Sequence, residues 1–372
     1  MRNMLKQYKL KDYKFRLILW VMAISVLGIM VIGSAQDAAQ KKQIIGLGIG
    51  LVLMVTASLV DYSWLLNFYW IYYILGVLML AAVPLVGKSA NGATRWIDLG
   101  FFQFQPSDVM KIILILFFAK LFMKHEEKIS TAKVIFLSLL CLAVPLAFIV
   151  KQPDLSTTIS IAMVFCVLIF IAGLSYKIIG GIIALAVPLV VVLFSLILQP
   201  GQTLLQGYQY NRIMAWLHPE DPQYYSIIYQ QLNAEIAIGS GQLYGKGLNN
   251  NVVSSVKNGN FIAEAQTDFI FAVVGEELGF LGCCIVIILE LIIAIECVRI
   301  GRKARDSAGM MICCGLAAQI FFQTFINIGV ATGLLPNTGI ALPFVSAGVT
   351  SLVSFCIGIG IVLNVGLQVK KY

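Results

Sequence analysis

Charge is what this chain has least of. Asp, Glu, Lys and Arg make up 12% of its 372 residues, about half of the ~25% found in an ordinary soluble domain. A water-soluble fold needs polar residues for its surface, so a soluble enzyme, a disordered protein and a nucleic-acid-binding domain are excluded. Histidine is scarce: His125 and His218 lie far apart and near no cysteine. No CxxC pair occurs among Cys141, Cys166, Cys283, Cys284, Cys297, Cys313, Cys314 and Cys356. A disulfide framework or zinc site would need such groupings. These thiols lie in or beside apolar segments and read as small apolar packing groups.

What fills the chain is apolar. Hydrophobic residues make up 59% of it, and the mean hydropathy is +0.90. Apolar runs fall near 16–35, 44–60, 65–86, 107–123, 133–150, 155–173, 177–198, 269–298, 309–332 and 342–367. Each is long enough, or nearly so, to cross a hydrocarbon core of about 30 Å as a helix. Barrel strands would instead alternate over about ten residues. The expectation is an all-α polytopic membrane protein with ten transmembrane helices, forming a single unit over 1–372. The first apolar run is long and is followed by Gln36-Asp37, without a cleavable-signal pattern, so it is expected to stay as the first span.

The net charge of +8 reads as topology. Lys and Arg crowd the N-terminal tail (Arg2, Lys6, Lys9, Lys11, Lys14, Arg16), the connection after the fourth run (Lys120, Lys124, Lys128, Lys133), Lys177, the connection after the eighth run (Arg299, Arg302, Lys303, Arg305) and the C-terminus (Lys370, Lys371). The opposite side carries fewer, and the excess puts both termini in the cytoplasm. Residues 199–265 then form one large extracellular loop. Within it, Ser226 to Ile238 reads as an amphipathic helix stopped by Gly239-Ser240-Gly241.

An ionisable group inside a span costs at least about 2.5 kcal/mol and points to function. Asp108 and Lys111 stand three residues apart at the start of the fourth span, close enough to pair on one helix face. Asp154 opens the sixth span and Asp268 the eighth, with Glu276 and Glu277 two turns deeper. Arg95 precedes the fourth span, and Arg212 lies in the large loop. Structural roles compete at each. Asp108, Asp154 and Asp268 could cap helices, Lys111 could snorkel, Glu276 and Glu277 could form a polar pair, and Arg212 could be an ordinary loop charge. Together they put acids and bases at one depth on the outer face. That arrangement suits a substrate with a lipid tail and a charged headgroup. The stretch Gly239 to Gly247 (GSGQLYGKG) is not a P-loop, which would need Gly at 240 and Ser or Thr at 247. It reads as a tight turn whose backbone amides can approach a phosphate or sugar.

These residues also carry a resemblance. GATRWI from Gly92, QPSD from Gln105 with Lys111, KQPDLS from Lys151, YNRI from Tyr210, AIGSGQLYGKGL from Ala237, TDFIFAVVGEELG from Thr267 and LPNTGIALPFVS from Leu335 occur in that order. The chain resembles the SEDS family (shape, elongation, division and sporulation) of RodA, FtsW and SpoVE, with a length and short N-terminal tail most similar to RodA. The resemblance implies the SEDS fold. It also implies an inverting peptidoglycan glycosyltransferase that polymerises lipid II on the outer face of the bacterial cytoplasmic membrane, for cell elongation and shape. It implies as partners a class B penicillin-binding protein, the other elongation or division proteins, and membrane lipids. No nucleotide or nucleic acid is expected. A lipid II flippase is the alternative, and a noncatalytic scaffold a more remote one.

In that chemistry Asp268 is the catalytic base. Lys111, Arg95 and Arg212 neutralise the departing pyrophosphate, with a divalent cation, Mg or Mn, as a further candidate. Asp108 orients Lys111, and Asp154 holds an acceptor hydroxyl or a metal. Gln266, Glu276 and Ser346 complete the expected substrate contacts. Four positions depart from the family pattern: Asp108 stands where Glu is common, Gln266 where His is frequent, and Ala347 and Val349 where an aromatic residue and a glycine are usual.

Overall fold

In the computed structural model, the residues described are 12–90, 93–98, 100, 102–197, 199, 207–249, 255, 259 and 261–368. The tail cations Arg2, Lys6, Lys9 and Lys11, Gly92 of the first motif, Asn250, Asn251, Lys257, Lys370 and Lys371 lie outside them.

A helix falls on each apolar run. In chain order they are α1 (Phe15–Ala35), α2 (Asp37–Leu59), α3 (Tyr62–Leu65) continued by α4 (Tyr69–Val86), α5 (Pro106–Lys124), α6 (Ala132–Lys151), α7 (Leu155–Ile171) and α8 (Tyr176–Ile197). Two further helices, α9 (Gly207–Leu217) and α10 (Tyr225–Ser240), lie in the large loop, and α11 (Ile270–Gly301), α12 (Ser307–Ala331) and α13 (Val349–Leu367) follow. Among the described residues, seven spans are long and apolar enough to cross a membrane: α1, α2, α3 with α4, α6, α11, α12 and α13. The polarity is inverted relative to a soluble fold. Val52, Leu78 and Phe136 are 66%, 59% and 69% exposed, whereas Gln319, Gln323 and Asn327 on α12 are each 1% exposed. Lipid satisfies the first group; inside, Gln319 bonds Gln323, and Gln323 and Asn327 bond backbone carbonyls. The chain is a multi-pass, all-α membrane protein.

Small residues set the closest packing, as expected where no hydrophobic force drives helices together. Gly50 of α2 faces Cys356 of α13, and a Cβ on Gly360 would collide with the Met54 carbonyl oxygen. A Gly360→Leu variant should therefore force α2 and α13 apart. The expected cost is about 1–3 kcal/mol, read as a lower unfolding temperature in detergent. An unchanged temperature would mean the helices already separate freely.

Three features differ from the sequence reading. The connection between α4 and α5 is not a plain loop but a small antiparallel sheet, β1 (Lys88–Ala90), β2 (Ala93–Asp98) and β3 (Gln103–Phe104), with Lys88 opposite Trp96 and Ile97 opposite Phe104. The run 342–367 is helical only from Val349. Its first residues form a turn in which the Leu342 amide donates to Ser346 Oγ (2.7 Å) and the Ser346 amide to the Leu342 carbonyl (3.0 Å).

The third difference is a break in α11. Gly279 takes φ 67° and ψ −166°, outside the helical region and costly for a residue with a Cβ. The break opens the backbone ladder, and the segment 242–247 closes it. Glu276 and Glu277 carbonyls accept from the Lys246 and Gly247 amides (both 2.9 Å). The Phe280 and Leu281 amides donate to the Gln242 and Leu243 carbonyls (2.8 and 3.2 Å). The expectation that these turn amides approach a phosphate or sugar is thus corrected for Lys246 and Gly247, whose amides hold α11.

Candidate active site

Asp268 lies two residues before α11, and its backbone surroundings are pinned. The Gln266 carbonyl accepts from the Ala347 amide (2.9 Å), the Thr267 carbonyl from Ser346 Oγ (2.6 Å), and the Asp268 carbonyl from Asn327 Nδ2 (2.9 Å). Three successive carbonyls are held by residues from the turn before α13 and from α12. The Asp268 carboxylate itself makes no hydrogen bond among the described residues and is left available for chemistry.

The loop between α12 and α13 faces it. Six carbonyls of that loop are held by side chains from four helices. Trp216 Nε1 donates to Gly333 (2.8 Å), Gln231 Nε2 to Leu335 (2.8 Å) and Arg212 Nη1 to Asn337 (3.1 Å). Ser156 Oγ donates to Thr338 (2.9 Å), Asn327 Nδ2 to Ile340 (2.7 Å) and Gln323 Nε2 to Ala341 (2.8 Å). Helices α7, α9, α10 and α12 thereby fix Gly339 against the aspartate. Its φ is +70°, and a Cβ there would lie 3.1 Å from Asp268 Oδ2. Glycine keeps that face of the carboxylate open. Thr338 Oγ1 and Asn327 Oδ1 are buried beside it without hydrogen-bond partners among the described residues.

The charge environment is mixed. Burial pushes the Asp268 carboxyl up to about 6; Arg95 and Arg212 pull it down, and Glu264 and Asp154 push it up. Arg95 sits on β2, and its Nε donates to the Gln152 carbonyl (3.0 Å) and its Nη2 to the Pro153 carbonyl. It thus ties the small sheet to the turn that presents Asp154. Asp154 Oδ1 accepts from the Thr157 amide (3.1 Å) and so caps α7, the structural role weighed for it. Gln266 donates to Glu264 Oε2 (2.9 Å) and holds that acid near Asp268.

Asp268, Arg95, Arg212 and Asp154 are thus one electrostatic group. Asp108 and Lys111 form a second. They pair at 2.9 Å, both buried, and Lys111 Nζ also donates to Gln323 Oε1 (3.2 Å). Gln319 Nε2 bridges Gln323 Oε1 (2.9 Å) and Ser160 Oγ (3.0 Å). The two groups are joined through Gln323, which holds Ala341 of the Gly339 loop. Glu276 lies apart from both, bonded to Lys246 at 2.8 Å, and Glu277 accepts from Ser34. Ser346 is used to brace the Thr267 carbonyl and its own turn.

Glu264, Gly339, Asn327, Gln319 and Gln323 were not singled out in the sequence. Gln319, Gln323 and Asn327 recur every four residues, which places them on one face of α12. Three amides on one stripe of an apolar run were a readable signal. Among the described residues, no group of three or more His, Cys, Asp or Glu converges to hold a metal.

A family model described as "Cell cycle protein" (FtsW, RodA, SpoVE) matches residues 13–371. The chain is 32% identical to the probable peptidoglycan glycosyltransferase FtsW of Geobacter metallireducens, over 97% of this chain and 96% of that one. It is 33% identical to the peptidoglycan glycosyltransferase MrdB of Escherichia coli K12, over 94% and 92%. Among solved structures, a chain of a peptidoglycan synthase complex that coordinates polymerization and crosslinking superposes with a TM-score of 0.78, at 26% identity over 95% of this chain and 97% of that chain. The rod shape determining protein RodA of Thermus thermophilus gives 0.69, at 26% identity over 97% and 98%. Matched from end to end by sequence and by fold, the chain belongs to the FtsW/RodA/SpoVE family of cell-cycle proteins.

Proposed function

We propose that this protein is a peptidoglycan glycosyltransferase that polymerises lipid II on the outer face of the cytoplasmic membrane. The observation that carries the reading is an uncommitted carboxylate at Asp268, walled by Gly339 and flanked by Arg95 and Arg212. Polymerisation joins a sugar hydroxyl to an anomeric carbon as a lipid pyrophosphate leaves. Asp268 takes the proton of the attacking hydroxyl, which requires hydrogen-bond reach and an ionised form. Arg95 and Arg212 face the charge that develops on the leaving group. Lys111, oriented by Asp108, braces Gln323, which in turn holds Ala341 of the Gly339 loop. Asp154 keeps its Oδ2 for an acceptor hydroxyl. A bound divalent cation would add positive charge at the pyrophosphate. The converging side chains do not by themselves cage one, so such an ion would draw on substrate oxygens, and no step is assigned to it.

The topology follows the Lys and Arg distribution, with both termini cytoplasmic and the site outside, and with α5, α7 and α8 completing ten spans of one membrane unit. Likeness to MrdB and RodA supports a role in elongation and shape, and likeness to FtsW one in division. A class B penicillin-binding protein is the partner that crosslinks the product, a reading supported by likeness to a synthase complex. Other elongation or division proteins join the assembly.

Because burial holds the Asp268 acid near 6, kcat/KM for polymerisation should rise about tenfold per pH unit below that value and level off above it, since only the ionised form accepts a proton. A flat profile between pH 5 and 7 would remove Asp268 as the base. The function itself is tested by incubating the purified chain and its partner, with crosslinking blocked, with labelled lipid II. Long glycan strands are expected. No polymer under any partner or metal condition, together with transfer of lipid II across liposomes, would move the assignment to a flippase.

A further inference from the structure

A cleft of about 580 Å³ lies at the far end of the bundle from Asp268, between α3, the end of α5 and the turn joining α11 to α12. Its volume is in the range of small-molecule sites. Two cations line it, Lys120 and Arg305, with the acids Asp61 and Asp306.

The acids are occupied. Asp306 Oδ1 caps α12 at the Gly309 amide (2.7 Å), and its Oδ2 is 3.6 Å from Arg305. Asp61 Oδ1 accepts from the Ser63 amide (2.9 Å) and from Gln368 (3.0 Å). Arg305 donates to Ser63 Oγ (2.5 Å) and Gln368 Oε1 (3.0 Å) and stacks over Tyr62. Lys120 differs: it is half-buried near the end of α5 and makes no hydrogen bond or ion pair among the described residues. An ammonium lining a cleft without a counter-ion can receive an anion. Trp64 stands at the cleft wall, and below it the outer face of α4 exposes Ile71, Ile74 and Leu78 to lipid. Tryptophan at headgroup level above an apolar lane, with a basic pocket between helices, is the layout that suits a phospholipid.

We infer that this cleft holds the phosphate of an anionic phospholipid from the cytoplasmic leaflet, with Lys120 as its cationic ligand and the α4 face as the acyl lane. The leaflet rests on the topology proposed above; the headgroup chemistry does not.

The test uses the full chain reconstituted in phosphatidylcholine vesicles doped with spin-labelled phosphatidylglycerol or spin-labelled phosphatidylcholine. The motionally restricted fraction reports lipid held at the protein. The wild type should retain phosphatidylglycerol in preference, and Lys120→Gln should lower that preference about fivefold, the scale of one cation at a lipid surface. Lys120→Arg should keep it, and the exposed Lys133→Gln should leave it unchanged. Equal preference in wild type and Lys120→Gln would overturn the site, as would an equal loss in Lys133→Gln. Competition by inorganic phosphate at the same strength would overturn the lipid in favour of a free anion. Separately, Asn67→Cys should react with an impermeant maleimide only in permeabilised cells. Reaction in intact cells would overturn the topology while leaving the lipid measurement standing.

Discussion

An Asp268→Asn variant should insert and fold like the parent yet polymerise lipid II at least about a hundredfold more slowly, the lower end of what a positioned base contributes. Folding should survive because the anchors of this segment are backbone carbonyls, held by Asn327, Ser346 and the Ala347 amide. None of them needs the carboxylate. Stability should respond with a defined sign. The folded-state acid is raised from 3.8 to about 6, so the folded state binds the proton more tightly and stability falls as pH rises through that window. Asparagine carries no such penalty. The variant should match the parent near pH 3 and be at least as stable at pH 7, read by thermal unfolding in detergent at the two pH values. A variant that folds and still polymerises at the parental rate would place the base elsewhere.

The second large effect is on stability. Lys111→Met should cost about 3–5 kcal/mol, because it leaves the Asp108 carboxylate buried without its counter-ion. It also strips Gln323 Oε1 of one donor, and Gln323 holds Ala341 of the Gly339 loop. Removing both charges, as Asp108→Leu with Lys111→Met, should recover much of the stability while polymerisation stays lost. A buried pair exchanged for apolar groups is often neutral or better. If Lys111→Met unfolds at the parental temperature, the pair is open to water and worth no more than about 1 kcal/mol.

The contrast between these two residues shows where the sequence was legible. The helices could be read because lipid imposes a length and a composition on every span. Asp108 and Lys111 could be read as a pair because helix geometry brings residues three apart onto one face. Asp268, Arg95, Arg212 and Asp154 could be nominated because charge beside apolar runs is rare, and they do meet. The break at Gly279 was hidden for a physical reason: what compensates it is the segment 242–247, about 30 residues upstream, and no local pattern records that pairing. The small sheet carrying Arg95 is short and escaped for lack of alternation. Glu276 was nominated on the same grounds as Asp268 and Ser346 through its motif, and tertiary structure supplies each with a partner, Lys246 and the Thr267 carbonyl.

The segment 242–247 also bears on how the protein is made. In the proposed topology it leaves the ribosome ahead of α11. The four backbone groups freed at Gly279 cannot be left facing lipid, and the segment that receives them is already made. Reversing that order, as in a circular permutant that places 242–247 after α13, would make insertion of α11 the step at which biogenesis stalls.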